Sequence, residues 1–523
     1  MENLFFLNMQ KYSLVDFLLF FTSLIFFLCA VSFILIFIEP KLRFKHSIPG
    51  PPIPSYILGH LPSIEPGCFH KYLLQNRNQY GKVFQIWMIH RRTLIVTDLT
   101  DVRFITTTKN YPKSTTFTSS LYPLLRTGLL TVSNDLHPAQ RRAIATRFNK
   151  EFLIHLHSHL EFELARFIVK LDKAAETKQM FDFDKEVTAF TLNVICRVAF
   201  GSSVDFQGSE SASKNVNFPA LVDAALRLSA DYMRKPHLRW LGKYAAPKLY
   251  SVVSEIQSFC NEMIDARRNE TPEQRRQRKD DDLLDIFLSV PGNTNEYIGA
   301  EVATFLFAGH DTTSHTLAWL VYELCLNSIV TEKLSAEIQS IQMHSVSHRL
   351  NENLTVEFEM PNFDQVQKEL LFSEMCWKES LRKRPVVANG TYRTVTEDVT
   401  FPGSQVFVEK GTDVLLPPYV MHHDEDVWRN SEVFDPERFT KENSVGRSAF
   451  ALQTFSSGAR NCIGQLFATH EGVTTIATVF KRYRFELATD PNDIVDYHSL
   501  TTRPRAKSVR MYLPVYVSKL QNN

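Results

Sequence analysis

Residues 17–38, FLLFFTSLIFFLCAVSFILIFI, carry no charged side chain. As a helix this stretch is about 33 Å long, enough to cross a hydrocarbon core of about 30 Å. It is apolar on every face, which a half-buried surface helix is not. It exceeds the ~7–15-residue apolar run of a cleaved signal peptide, and no A-x-A-like site follows it. One membrane-spanning helix is therefore expected near the N-terminus. Lys41, Arg43 and Lys45 follow the run, whereas Glu2, Lys11 and Asp16 precede it. Positive charge on the C-terminal flank keeps that side in the cytosol. The sequons at Asn269, Asn353 and Asn389 then stay unglycosylated. Next comes SIPGPPIP, whose prolines stiffen the chain while Gly50 permits a turn. The expected division is an anchor with its basic flank over 1–46, a proline-rich hinge over 47–54, and one large domain over 55–523.

The 523 residues are 44% hydrophobic, ample for a large core. With 58 basic and 57 acidic side chains the net charge is +1, which offers no basic field for nucleic acid. Seven cysteines occur without a CxxC pair, so reduced thiols are expected in place of a disulfide framework or a zinc site.

VFQIWMI (83–89) and RTLIVTD (92–98) predict two strands around a turn. Beyond residue 100 the pattern is mostly helical, with no repeat of period 20–50. The charge-dense segment 267–282 predicts a solvated loop, and Asp280–Asp282 supply N-cap residues for the apolar run after it. Residues 297–328 predict one long, central, buried helix. In its middle, AGHDTT (308–313) is poor helix material. Either a functional site sits there, or the helix kinks with its threonines bonded to their own backbone. Short strand-like runs follow at 391–416, and 509–517 alternates like a hairpin strand. The fold class expected is mainly α with minor β.

Residues 455–464, FSSGARNCIG, place Cys462 in a glycine-broken loop ahead of a helical segment. A lone cysteine is commonly a small buried hydrophobe. A helix beginning near Ile463 would instead set its dipole and free N–H groups against the sulfur and favour a thiolate. Such a thiolate is a nucleophile or a metal ligand. Phe455 and Ile463 offer apolar cover, and Arg460 offers a cation for an anionic group.

Phe455-x-x-Gly458-x-Arg460-x-Cys462-x-Gly464 resembles the haem-binding signature of the cytochrome P450 monooxygenases at every fixed position. Further segments follow the family's order: the anchor and hinge, HPAQRR, AGHDTT, Glu379-Ser380-Leu381-Arg382, Pro436-Glu437-Arg438-Phe439, and the Cys loop. Within the family the resemblance runs to microsomal groups that include fatty-acid ω-hydroxylases and cholesterol 24-hydroxylase. It implies the cytochrome P450 fold, with haem b between the long helix and the Cys loop. Cys462 becomes the axial thiolate on iron, a ligand that favours O–O cleavage. Phe455 and Gly464 flank the cofactor. Glu379, Arg382 and Arg438 form a buried network that fixes the Cys loop. Arg141, Arg460 and Arg393 receive the propionates, joined by His137 where family members commonly carry Trp. Asp311 and Thr312 form an acid–alcohol pair that delivers protons; His310 either lines a channel or is an exposed or core-satisfied histidine. Ala308 occupies the position where many ω-hydroxylases carry a Glu that links covalently to haem, so haem here is expected to be extractable by acid solvent. Segments 116–130 and 386–390, with Val386 and Val387, wall a lipophilic substrate pocket.

The same resemblance implies NADPH-derived electrons delivered by cytochrome P450 reductase, with cytochrome b5 as an accessory donor. A basic cluster at Arg141, Arg142, Arg147 and Lys150, joined by Lys481 and Arg482, is the docking candidate. The implied setting is the endoplasmic reticulum membrane, single-pass, with a cytosolic catalytic domain. Two alternatives stay open: a reductase-independent haem-thiolate isomerase or dehydratase, against which Asp311-Thr312 argues, and a non-catalytic haem-binding protein.

Overall fold

A computed structural model describes residues 14–44, 47–201, 218–233, 241–277, 282–290, 293–498 and 500–520. Lys45, Asp280 and Asp281 lie outside them, as do Glu2 and Lys11. The apolar run forms α1 (Leu14–Phe33), which continues through a π turn at Ile34–Ile38 into a last helical turn at Glu39–Arg43. Residues Phe17–Arg43 are long and apolar enough to cross a membrane, and Phe26 and Phe27 are 78% and 65% exposed.

The expected hairpin is β1 (Val83–Met88) paired with β2 (Arg91–Val96). It receives the end of the anchor. Lys41 is buried, its ammonium 5.1 Å from the centre of the Trp87 ring and bonded to Phe37 O at 3.1 Å. It caps the helix end and does not extend as a free basic flank. Gln85 Nε2 donates to Phe44 O and Ile48 O at 2.9 and 2.6 Å, and Gln85 N–H donates to Pro49 O at 2.8 Å. The start of the proline-rich segment is thus laid along β1.

The body is carried by α2 (His137–Ala145), α3 (Lys150–Thr177), α4 (Phe183–Phe200) and the long helix α5 (Asn295–Leu326). α5 is buried along most of its length, as its all-round apolar pattern requires. It packs most extensively on α4. Gly309 permits that approach, because a Cβ there would meet the Ile195 side chain at 2.8 Å. After α5 come α6 (Leu371–Lys383), β3 (Thr391–Thr394) and β4 (Asp413–Leu416), and then α7 (Gln465–Arg482). The main sheet runs β1-β2-β4-β3, with β2 and β4 parallel. The chain closes with β5 (Tyr483–Leu487), β6 (Ile494–His498), β7 (Thr502–Ala506) and β8 (Pro514–Lys519).

Four expectations change. The strand expected at 509–517 begins only at Pro514, because Tyr512 and Leu513 donate their N–H groups to the Asp182 carboxylate at 3.0 and 3.1 Å. A hairpin pairing His344–Asn351 with Leu354–Met360 stands where helix was expected, packed on α3 and α7. The charge-dense segment 267–282 is not wholly solvated. Arg267 is buried between Asp282 and Asp285, at 2.7 and 3.0 Å, while Asp282 caps the following helix as expected. Lys481 and Arg482 do not join a basic docking face, since Glu359 lies 3.5 Å from Lys481 and Asp172 lies 2.9 Å from Arg482. Arg142, Arg147 and Lys150 remain exposed.

Candidate haem and substrate site

A cavity of about 700 Å³ lies between α5 and the loop that carries Cys462. Its lining is mostly apolar, and its volume suits a buried small-molecule ligand. Segments 116–130 and 386–390 supply walls as expected, through Phe117, Leu121, Val386 and Val387 among others. Ala308 and Thr312 face it from α5.

The loop forms because its glycines permit it. Gly458 adopts φ +73°, and a Cβ there would meet Thr106 O at 1.9 Å, so no other residue fits without backbone movement. Cys462 N–H donates to Phe455 O at 2.8 Å, which closes the loop. Helix α7 starts at Gln465, with Gly464 as its N-cap, two residues beyond the cysteine. Cys462 lines the cavity, its side chain exposed within it. Burial raises its pKa, opposed by the Gly464 N–H and by the charges of Arg141 and Lys113. Those groups favour the thiolate, as a metal-ligating cysteine requires.

The loop is fixed from behind. Glu379 and Arg382 of α6 are fully buried and pair in a bidentate geometry, both contacts at 2.8 Å. Arg438 Nε approaches Glu379 at 3.3 Å, and the Asp435 N–H donates to the same carboxylate at 2.9 Å. The expected network is thus assembled. Arg382 also donates to His422 O at 2.9 Å, and His422 Nε2 accepts the Gln453 N–H at 2.8 Å, two residues before Phe455. His422 is the link that sequence reasoning missed.

Lys113, Arg141 and Arg460 line the cavity, and Arg393 lies beside Lys113 on the adjoining backbone. Burial pushes Lys113 down to about 7, and the three arginine charges push it the same way. Arg393 falls to about 10, chiefly by burial and then through Arg460. Arg393 Nε and Nη2 and Arg460 Nε and Nη1 are buried with no hydrogen-bond partner among the described residues. A buried cluster of like charge with idle donors is costly unless anions meet it. The two carboxylates of a haem would meet that demand, and a thiol lines the same cavity, so the residues present fit the group. Lys113 joins Arg141, Arg393 and Arg460 as a residue that would hold it, although no sequence motif marked it. Arg141 also clamps the loop, donating to Asn461 O and Oδ1 at 2.7 and 2.6 Å. His137 is buried on the cavity wall and kept neutral, its pKa lowered to about 3 by burial and then by Arg460.

The acid–alcohol pair does not stand side by side in the cavity. Thr312 faces it and donates to Ala308 O at 2.9 Å, the backbone bond that was the bland alternative. Asp311 is buried behind the wall. Adjacent residues on a helix diverge by about 100°, and here Thr312 falls on the cavity side and Asp311 does not. His310 is core-satisfied, with Nδ1 at 2.5 Å from Leu306 O.

Residues 49–511 match the family model described as Cytochrome P450. The chain is 29% identical to human (Homo sapiens) Cytochrome P450 4F12 over 463 residues, covering 84% of each chain. It is 28% identical to the human Ultra-long-chain fatty acid omega-hydroxylase, over 84% of this chain and 83% of that one. It is also 28% identical to Leukotriene-B4 omega-hydroxylase 3 of Mus musculus, over 84% and 85%. With the match spanning residues 49–511, and Cys462 sharing one cavity with Lys113, Arg141 and Arg460, the chain belongs to the cytochrome P450 family of haem-thiolate monooxygenases.

Proposed function

We propose that this protein is a membrane-anchored monooxygenase of the fatty-acid type, seated in the endoplasmic reticulum with its catalytic domain in the cytosol. One atom of dioxygen enters a C–H bond of a lipophilic substrate and the other leaves as water. NADPH supplies the two electrons through its reductase, with cytochrome b5 as an accessory donor. When bound, haem supplies the oxygen-activating chemistry. The chain's own residues do the rest: Cys462 ligates, the four cations neutralise the propionates, and the apolar walls exclude water and align the chain of the substrate.

The observation that carries this reading is one thiol and three cations, Lys113, Arg141 and Arg460, lining a mostly apolar cavity of about 700 Å³, with Arg393 buried beside Lys113. The names of two relatives, fatty-acid and leukotriene ω-hydroxylases, support an amphipathic acid as substrate. Exposed Arg142, Arg147 and Lys150 support docking of an acidic reductase. The test is NADPH consumption with reductase and a panel of long-chain acids and sterols. Substrate-dependent consumption with a hydroxylated product is expected. Turnover of lipid peroxides alone, without reductase, would overturn the proposal.

A further inference from the structure

One row of side chains crosses the main sheet on its cavity side. Asp413 on β4 is in register with Thr93 on β2 and with Thr394 on β3. Register partners share a face of the sheet, and Arg91, two residues before Thr93, shares it too. Arg91, Thr93 and Asp413 line the cavity, joined by Thr116. Arg91 Nη1 donates to the Thr116 hydroxyl, which donates in turn to Asp413 Oδ2 at 3.1 Å. Thr394 donates to Asp413 Oδ1 at 2.6 Å, and Arg91 Nη1 lies 3.8 Å from Asp413 Oδ2. The guanidinium is thus paired with a carboxylate that the sheet holds in place.

The pair stays open to a ligand. The Arg91 side chain is 44% exposed and that of Asp413 13%. Only Nη1 of Arg91 is bonded among the described residues, so Nε and Nη2 keep donors. Each Asp413 oxygen accepts one hydroxyl and has a second lone pair. A donor and an acceptor therefore stand together on a mostly apolar wall.

Charge decides what they take. The charged residues lining the cavity, among the described residues, are Glu65, Arg91, Lys113, Arg141, Asp413 and Arg460. Lys113, Arg141 and Arg460 act on one another beside Cys462, where the carboxylates of the cofactor would meet them. What remains is two carboxylates against one guanidinium, a net −1. Glu65 is exposed, so it meets a molecule entering from solvent. An anionic head finds Arg91 already paired and a carboxylate beside it, and like charge in such a place costs affinity. A neutral head satisfies both partners. Its oxygen accepts from Arg91 and its O–H or N–H donates to Asp413, each a charge-assisted bond.

We propose, on the reading of this cavity as the substrate site of a lipid monooxygenase, that Arg91 and Asp413 form its head-group site and select a long-chain lipid with a neutral head, an alcohol or an amide, over the free acid. This sets the chain apart from a relative named for a fatty acid.

Palmitic acid, palmityl alcohol and palmitoyl ethanolamide share one chain and differ in the head. Their dissociation constants are measured on the purified holoenzyme by displacement of a fluorescent lipid, at about pH 8, where the acid is ionised. The alcohol and the ethanolamide are expected to bind about tenfold more tightly than the acid, the worth of one hydrogen bond to a charged group. Asp413→Asn keeps the side-chain shape and uncovers the Arg91 charge, so the acid should gain about tenfold and the neutral lipids little. Glu65→Gln, on an exposed residue, should raise acid affinity by a smaller factor. Arg91→Gln should weaken the alcohol and the ethanolamide to the level of the acid. Four results would each overturn the proposal: no displacement by any of the three, acid bound as tightly as the alcohol by the wild type, neutral lipids unaffected by Arg91→Gln, or an acid affinity unmoved in folded Asp413→Asn (in Glu65→Gln, if that variant does not fold). A wild-type enzyme that binds the alcohol but oxidises no lipid with NADPH and reductase would defeat the proposed function and leave this selection standing.

Discussion

His422 Nε2 accepts the backbone N–H of Gln453 at 2.8 Å, while its Nδ1 faces Arg382 O at 3.1 Å. One imidazole thus joins the Glu379–Arg382 pair to the root of the Cys462 loop. Removing the Glu379 carboxylate leaves Arg382 and Arg438 buried without their anion, a loss of about 3–5 kcal/mol. Glu379→Ala is expected to accumulate without haem, read as the ratio of haem to protein absorbance. His422→Phe strands one buried N–H, costs about 1–3 kcal/mol, and is expected to lower haem content less severely. Full haem loading in Glu379→Ala would contradict the network's role.

The cation ring makes a prediction with two signs. In haem-free protein Lys113 is an unwelcome charge, and its folded pKa of about 7 lies below its ordinary 10.5. Between those values the unfolded chain binds more protons, so haem-free stability rises as pH increases from about 7 to about 10.5. Lys113→Met is expected to stabilise haem-free protein at pH 7 and flatten that slope, yet to speed haem loss to a scavenger protein. Unfolding curves with and without haem, together with the loss rate, check both signs.

His157 Nδ1 and His470 Nε2 lie 3.0 Å apart between α3 and α7. Burial holds both neutral, lowering His157 to about 4 and His470 to about 3, against an ordinary 6.5. Below 6.5 the unfolded chain takes up protons that these rings refuse. Their contribution is complete above about 6.5 and is lost as pH falls toward 4. The melting temperature should drop over that window, and His470→Gln should reduce the slope. A melting temperature unchanged from pH 7 to 4 would contradict this.

Much of the site was legible because it is local in sequence. The Cys462 loop occupies ten consecutive residues, and Glu379 and Arg382 meet one turn apart on α6. Lys113 and His422 carried no signal, because each gains its meaning from a partner brought by the fold: Arg393 and Gln453. Asp311 and Thr312 are adjacent in sequence but differently placed, Thr312 on the cavity wall and Asp311 buried beside it. The 344–360 hairpin was hidden by its setting between helices, although LTVEFEM alternates as a strand should and buries Val356, Phe358 and Met360 on one side.

Topology is open to a direct check. Asn269, Asn353 and Asn389 all lie on the C-terminal side of the spanning helix. With that side in the cytosol, none receives a glycan in microsomes, and glycosidase treatment leaves the mobility unchanged. A glycosidase-sensitive shift abolished by Asn353→Gln would reverse the orientation.

The central claim is that the Cys462 sulfur ligates haem iron. The purified protein, reduced and exposed to carbon monoxide, should show a Soret band far to the red of a histidine-ligated haem, and Cys462→His should move that band to the histidine position. A wild-type band already at the histidine position, or a red-shifted band that survives Cys462→His, would contradict it.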